Sequence, residues 1–153
     1  MIDRRKVTAA LALTLLAAPA MARAASARTP AQVFRTPDCG CCGAWVTHLE
    51  RHGFDVDVVM TDDMQAVKDR HGVPQPLRSC HTALIGGYAI EGHVPAADIL
   101  RLLAQRPRAA GLAVPGMPIG SPGMEMGAQR DPFDVILWDG TGTRIFSSHG
   151  GRS

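Results

Sequence analysis

Apolar and polar positions alternate over Phe54 to Val59, FDVDVV, the period of a strand with one face in a core. Ahead of it, Trp45, Val46 and Leu49 recur at helical spacing, and Gly53 follows His52 as a stop signal. That predicts a helix with Cys41 and Cys42 at its N-terminus. Ala31 to Arg35, AQVFR, is a short apolar stretch closed by Thr36-Pro37-Asp38, a strand running into a turn. Thr61 is placed to cap a second helix reaching Arg70 or His71, with Asp62 and Asp63 favourable to the helix dipole and Gly72 beyond its end. Val73 to Ser79 contains Pro74 and Pro76 and reads as a loop. HTALI and YAIEG are two strands joined at Gly86-Gly87, a dipeptide that tolerates the positive φ of a tight turn. Pro95 opens a third helix, whose buried stripe is Ala96, Ile99, Leu102 and Leu103 and which ends before Pro107.

The order strand, helix, strand, helix, hairpin, helix predicts an α/β domain of thioredoxin-like arrangement. Two segments follow it. Gly111 to Gly127 is rich in Gly, Pro and Met and shows no period, so it reads as one long loop, a length that in compact domains is usually functional or disordered. Phe133 to Trp138 and Thr143 to Ser147 flank Asp139-Gly140-Thr141-Gly142, which predicts a C-terminal β-hairpin extending the sheet.

The N-terminus reads as an address. Arg4, Arg5 and Lys6 precede an apolar run from Val7 to Ala18, and Ala22-Arg23-Ala24 offers a small-x-small cleavage site. Residues 1–24 are expected to be a signal peptide cleaved near Ala24, by the general secretory or the twin-arginine route, leaving residues 25–153 as a single periplasmic domain. The run is shorter than the roughly 20 apolar residues a spanning helix needs, so no membrane insertion of the mature chain is expected. Four basic residues and one acidic residue leave with that segment, taking the formal charge from +2 to −1. No basic stripe with interleaved aromatics remains, and nucleic acid is not an expected partner.

Four cysteines in an exported chain would ordinarily mean two disulfides. The spacing here is less ordinary. Cys39 and Cys42 form a C-x-x-C pair where a strand meets a helix, with Cys41 between them, and the helix N-terminus favours thiolate over thiol. Redox exchange and metal ligation both use the thiolate. Cys80, followed by His81 and Thr82, falls in the loop that faces the redox motif in a thioredoxin-like fold, where a cis-proline is common. Four sulfurs are then expected at one site. Adjacent side chains such as Cys41 and Cys42 tend to diverge, which is awkward for chelating a single zinc but useful for bridging several ions. Copper(I) is soft and prefers thiolate and thioether, so a polynuclear copper–thiolate cluster suits the pattern better than one zinc, and the usual iron–sulfur spacings are absent.

Met117, Met124 and Met126 place three thioethers within ten positions of the long loop. As a group, ligand or copper-entry roles stand level with simple loop packing. Among the histidines His81 is the best extra ligand. His48 and His52, one helical turn apart, read as solvated, His71 as a helix-end residue, His93 as structural and His149 as part of a tail. Acidic residues read as caps and solvated faces. No paired-carboxylate, Ser-His-Asp or phosphate-loop pattern is present.

CGCCGAWVTHLERHGF, VPQPLRSCHTALIGGYAIEGHVPAADILRLL, GLAVPGMPIGSPGMEMG and FDVILWDGTGTRIF resemble, in order, the CopG-like family of small exported bacterial copper-resistance proteins, long filed as a domain of unknown function. The likeness covers nearly the whole mature chain. It implies a thioredoxin-like fold, a periplasmic location and several copper ions held by Cys39, Cys41, Cys42 and Cys80. It also implies a role in copper resistance or homeostasis, with copper efflux or oxidase proteins as candidate partners and Cu(I)/Cu(II) redox activity as an open question. Two other classes stand beside it: a thiol-disulfide oxidoreductase using Cys39 and Cys42, and a disulfide-stapled binding module without metal. Whether the chain turns over as a copper or thiol oxidoreductase is left open by these residues.

Overall fold

The computed structural model describes residues 27–150. The predicted signal peptide lies outside them. Seven strands form one sheet: β1 (Thr29–Arg35), β2 (Phe54–Met60), β3 (Thr82–Ile85), β4 (Tyr88–Glu91), β5 (Gly111–Ala113), β6 (Phe133–Trp138) and β7 (Thr143–His149). Three helices accompany them, α1 (Gly40–Arg51), α2 (Met64–Arg70) and α3 (Ala96–Gln105). The strand order is β2-β1-β3-β4-β5-β6-β7. β1 runs parallel to β2 and β4 to β5, while the other neighbours are antiparallel.

Side-chain alternation divides the sheet into two faces. Val33, Ala83, Ile85, Ile90, Leu112 and Leu137 line the larger core. Onto them α1 lays Trp45, Val46 and Leu49, and α3 lays Ala96, Ile99 and Leu102, all buried. Cys42 shares the α1 stripe, since positions 42, 45, 46 and 49 fall on one helical face. Val73, Leu77, Ala89, Ala113 and Trp138 form a second, smaller apolar cluster. Among the described residues no helix is long and apolar enough to cross a membrane.

Three local expectations need correction. The cap of α2 is Asp63, whose Oδ1 accepts from the Ala66 amide at 2.9 Å. Thr61 instead accepts from the Asp63 amide at 3.2 Å, two positions ahead of the cap. Gly111 to Gly127 is not all loop, because Gly111–Ala113 is β5, hydrogen-bonded between β4 and β6. Three residues are too few to show a period, and the neighbours impose the strand. A Cβ on Gly111 would lie 1.8 Å from the Ala89 carbonyl oxygen, so only glycine allows that approach. His149 belongs to β7, with Nε2 2.7 Å from the buried carboxylate of Asp98 on α3.

The remaining segment, 114–127, wraps the end of the sheet where α1 begins. A Cβ on Gly123, at φ +84°, would stand 2.8 Å from both the Cys41 carbonyl oxygen and the Trp45 amide. The Met-rich loop therefore rests on the first turn of α1. β6 and β7 meet around Asp139, whose Oδ1 accepts from the Thr141 and Gly142 amides, and a register shift interrupts their pairing between Val135 and Ile136.

Candidate metal centre

Cys39 is the N-cap of α1, so its side chain and those of the first turn project where helix amides have no intrahelical acceptor. Arg35, at the end of β1, fixes the approach by donating to the Thr36 and Pro37 carbonyls, both at 3.1 Å. Cys39 and Cys42 are joined as a disulfide across the one-turn spacing. Cys41 is free and turns the other way. Its Sγ lies 3.6 Å from Cys39 Sγ and 3.9 Å from Cys80 Sγ. The divergence expected of adjacent cysteines is what separates them: Cys42 enters the core and Cys41 faces the distal thiol.

Cys80 arrives from the segment before β3. One sulfur from each of the four cysteines lies within 4.8 Å of all the others. The set is therefore one cluster and not two separate staples. All four can act as thiolates only after two electrons reduce the Cys39–Cys42 bond. Burial, followed by the nearby Cys41, pushes the Cys80 thiol up to about 11, so it is protonated at neutral pH until a cation displaces the proton.

Two histidines complete the neighbourhood. His93 Nδ1 lies 2.8 Å from the Pro122 carbonyl, which can only accept, so Nδ1 carries the proton and Nε2 keeps its lone pair. That Nε2 is 3.2 Å from Cys80 Sγ. His93 was expected to be structural; it sits at the site because Gly92 turns the chain at φ +71° immediately after β4. The signal was present in the sequence only as EGH, with no spacing to link it to Cys80.

His81 is fully buried, its ring 4.4 Å from that of Trp45 and 4.9 Å from that of His93. Its Nδ1 is 3.3 Å from Cys80 Sγ, and its Nε2 has no hydrogen-bond partner among the described residues. A single thiol proton can serve only one imidazole. With Cys80 donating to His93 Nε2, His81 Nδ1–H must donate to the sulfur, and Nε2 is left as a buried bare acceptor. Desolvation holds both histidines below their usual pKa, His81 well below it, so both are neutral and keep a lone pair at neutral pH. Cys80, His81 and His93 form a second group able to hold a metal ion, sharing Cys80 with the first.

Met117 and Met126 are exposed, at 53% and 61%, and Met124 is half-buried. Their loop nonetheless borders the site, since Gly116 accepts from the Ser79 hydroxyl and Pro122 from His93. His48 and His52 are committed elsewhere: His48 Nε2 accepts from the Ala96 amide at 3.1 Å, and His52 Nδ1 lies 2.7 Å from the His48 carbonyl. His71 is the C-cap of α2.

Soft sulfur from four cysteines, with neutral imidazole on one side, is a donor set for a thiophilic ion such as copper(I). An oxygen-seeking ion such as magnesium finds no carboxylate among these ligand atoms. The His93 lone pair, which accepts the Cys80 proton, would be freed for a metal when that proton leaves, and His81 Nε2 is a second bare nitrogen beside it.

Residues 77–124, which span Cys80, His81 and His93, match a family model described as a protein of unknown function, DUF411. No functionally curated protein matches the chain. Two solved structures of copper resistance protein CopG do. Form 2 is 46% identical over 80% of this chain and 99% of its own, with a TM-score of 0.77. Form 1 is 47% identical over 81% of this chain and 99% of its own, also with a TM-score of 0.77. Identity at that level over nearly the full length of the relatives, together with the shared fold, places this chain in the family of the copper resistance protein CopG.

Proposed function

We propose that the chain is an exported copper-binding protein of copper resistance or homeostasis, holding copper(I) as a polynuclear thiolate cluster. The observation that carries the reading is the meeting of Cys80 with Cys41, 39 positions apart, at 3.9 Å, beside the Cys39–Cys42 pair. Cys39, Cys41, Cys42 and Cys80 are the ligands, with His93 and His81 supplying nitrogen at the Cys80 end. Imidazole suits copper in either oxidation state, so the same ligands would hold bound copper as it loses one electron to, or regains one from, an external one-electron partner. Met117, Met124 and Met126 are assigned to copper entry, since the loop that bears them borders the sulfurs. The strand order β2-β1-β3-β4, with α1 running from the C-x-x-C junction, supports a thioredoxin-like core to which β5, β6 and β7 are added. Residues 1–24 act as the signal peptide and 25–153 as the periplasmic domain, where copper efflux or oxidase proteins would deliver or remove the metal.

Binding begins with reduction. A dithiol donates two electrons and two protons to the Cys39–Cys42 bond, giving two thiols and a disulfide on the donor. Each thiol then loses its proton as copper binds. Anaerobic titration of the reduced protein with copper(I), followed by native mass spectrometry, should retain several copper ions per chain. Cys80→Ser should lower that number and not merely weaken binding, because a bridging sulfur belongs to more than one ion. Retention of one zinc, or of no copper, would overturn the reading.

The disulfide favours one alternative, a thiol-disulfide oxidoreductase using Cys39 and Cys42. No cis peptide bond is present among the described residues, and Cys80-His81 stands in the loop where such enzymes commonly carry a cis-proline. Insulin reduction at thioredoxin-like rates, abolished by Cys39→Ser, is the result this alternative requires.

A further inference from the structure

Beneath the Cys80 segment lies an ion pair that the copper chemistry does not use. Lys68 on α2 and Glu91 at the end of β4 are 2% and 0% exposed, with Nζ and Oε1 2.6 Å apart. Burying two charges is costly unless both are fully engaged, so the partners of the pair matter. Glu91 Oε1 also accepts from the Ser79 amide at 2.6 Å, and Oε2 accepts from the Thr82 hydroxyl at 2.6 Å. Lys68 donates as well to Thr82 Oγ1, at 3.1 Å. The residues gripped by the carboxylate, Ser79 and Thr82, bracket Cys80 and His81.

The same segment is pressed from a second side. The Gly92 amide donates to the His81 carbonyl at 3.0 Å. A Cβ on Gly92, at φ +71°, would stand 2.7 Å from both the Ser79 side chain and the Val114 carbonyl oxygen, so glycine is what lets the Ser79 side chain lie against this turn. Ser79 is thus held through its amide by Glu91 and through its hydroxyl by the Gly116 carbonyl.

We propose that Glu91 is a positioning residue for the metal centre: its carboxylate, neutralised by Lys68, locks the backbone on either side of Cys80 and presents that sulfur to Cys41 in a preset place. Glu91 touches no sulfur. It acts through the Ser79 amide and the Thr82 hydroxyl, so the ordering of the distal ligand is completed in folding and not at the moment of binding. The metal-centre part of the proposal rests on the copper reading above. The locking of Cys80 does not.

Two double variants separate the effects. Lys68→Met with Glu91→Gln removes both charges but leaves a carbonyl oxygen for the Ser79 amide; Lys68→Met with Glu91→Leu removes the acceptor as well. In the Leu variant, the Ser79 amide should exchange with deuterium about tenfold faster or more, and reduced Cys80 should be alkylated by iodoacetamide faster by a similar factor. Cys41 alkylation should stay within about twofold, and the Gln variant should return both rates toward wild type. Copper should be held less tightly in the Leu variant alone, since Cys80 must then be ordered at the moment of binding. If the Leu variant keeps its near-ultraviolet circular dichroism and both rates stay at wild type, the proposal is overturned. It is equally overturned if the Gln variant loosens Cys80 as far as the Leu variant does. Should the Leu variant not fold, the unaltered protein still decides: the Ser79 amide must be protected to the level of the β3 and β4 amides, and free exchange there sinks the lock. Faster Cys80 alkylation with unchanged copper affinity would uphold the lock while showing that metal binding does not depend on it.

Discussion

The two arms of the sulfur site are built by different means. Cys39, Cys41 and Cys42 lie within four positions at one helix start, and their places follow from the turn held by Arg35 and the first turn of α1. Cys80 has no such local frame. Its segment is held from α2, β4 and the Met-rich loop by a buried carboxylate, a buried ammonium and several backbone bonds. A ligand fixed by spacing survives most changes elsewhere in the chain, whereas one fixed by a distant charge pair depends on every member of that pair. The near arm should therefore tolerate mutations outside it, and the far arm should not.

The largest expected break in that asymmetry is Lys68→Ala. It leaves Glu91 buried without its counter-charge, which typically costs about 3–5 kcal/mol. Urea unfolding of the oxidised protein should show a loss of that size. Exposed charges near the other arm, such as Asp38→Ala, should cost no more than about 0.5 kcal/mol. Equal losses from the two substitutions would erase the distinction between the arms.

That asymmetry also marks how far the sequence could be read. The helix-start cysteines, the stripe of α1, the alternation of β2 and the tight turn at Gly86-Gly87 are local patterns, and each element lies within a few residues of its expected position. The approach of Cys80 followed from the expected order of elements, and its sulfur lies within reach of the other three. What the sequence hid was the support. Glu91 read as one more solvated acid, yet its partner Lys68 stands 23 positions upstream and no period links the two. His93 was hidden for the same reason, since its contact with Cys80 spans 13 positions across a β-hairpin. Short strands such as Gly111–Ala113 leave no period to detect, and only their neighbours make them strands.

A middle-sized effect probes where the near arm touches the rest of the molecule. Gly123 lies against Cys41 and Trp45 at a positive φ, so Gly123→Ala meets both a backbone clash and a disfavoured conformation. A loss of about 1–3 kcal/mol is expected, with the Met-rich loop displaced and the Pro122 carbonyl drawn away from His93 Nδ1. The His93 Nδ1–H resonance, slowed in exchange by that bond, should broaden or vanish. The Cys39–Cys42 disulfide should still form in this variant, because the loop yields before the helix start, whose turn is held by Arg35 and by the one-turn spacing of the two cysteines. Failure of the disulfide to form would show that the near arm, too, needs tertiary support.

The smallest effect concerns how α1 is anchored away from the sulfurs. His48 Nε2 accepts from the Ala96 amide, the first residue of α3, in place of the side-chain cap that Pro95 cannot supply. Only neutral imidazole can accept there. Burial, and then the neighbouring His52, lower the His48 pKa below its ordinary value of 6.5. As pH falls through 6.5 the unfolded chain therefore takes up the proton before the folded chain does. The stabilisation is complete above 6.5 and is lost as pH drops toward and through the folded value. His81 and His93 are lowered as well and slope in the same direction, so the raw pH dependence belongs to all three. His48→Gln isolates one of them, since its carbonyl oxygen can accept from Ala96 without titrating. The difference in unfolding free energy between wild type and this variant should be flat above pH 7 and move against wild type by about 1 kcal/mol or less on going to pH 5. Cys80 alkylation should be indifferent to the substitution, because the contact ties α1 to α3 and does not touch the segment before β3. A difference that stays flat down to pH 5 would mean that the Ala96 amide does not depend on His48, and that α1 is held to the start of α3 by its apolar stripe and the Trp45 indole N–H donating to the Val94 carbonyl.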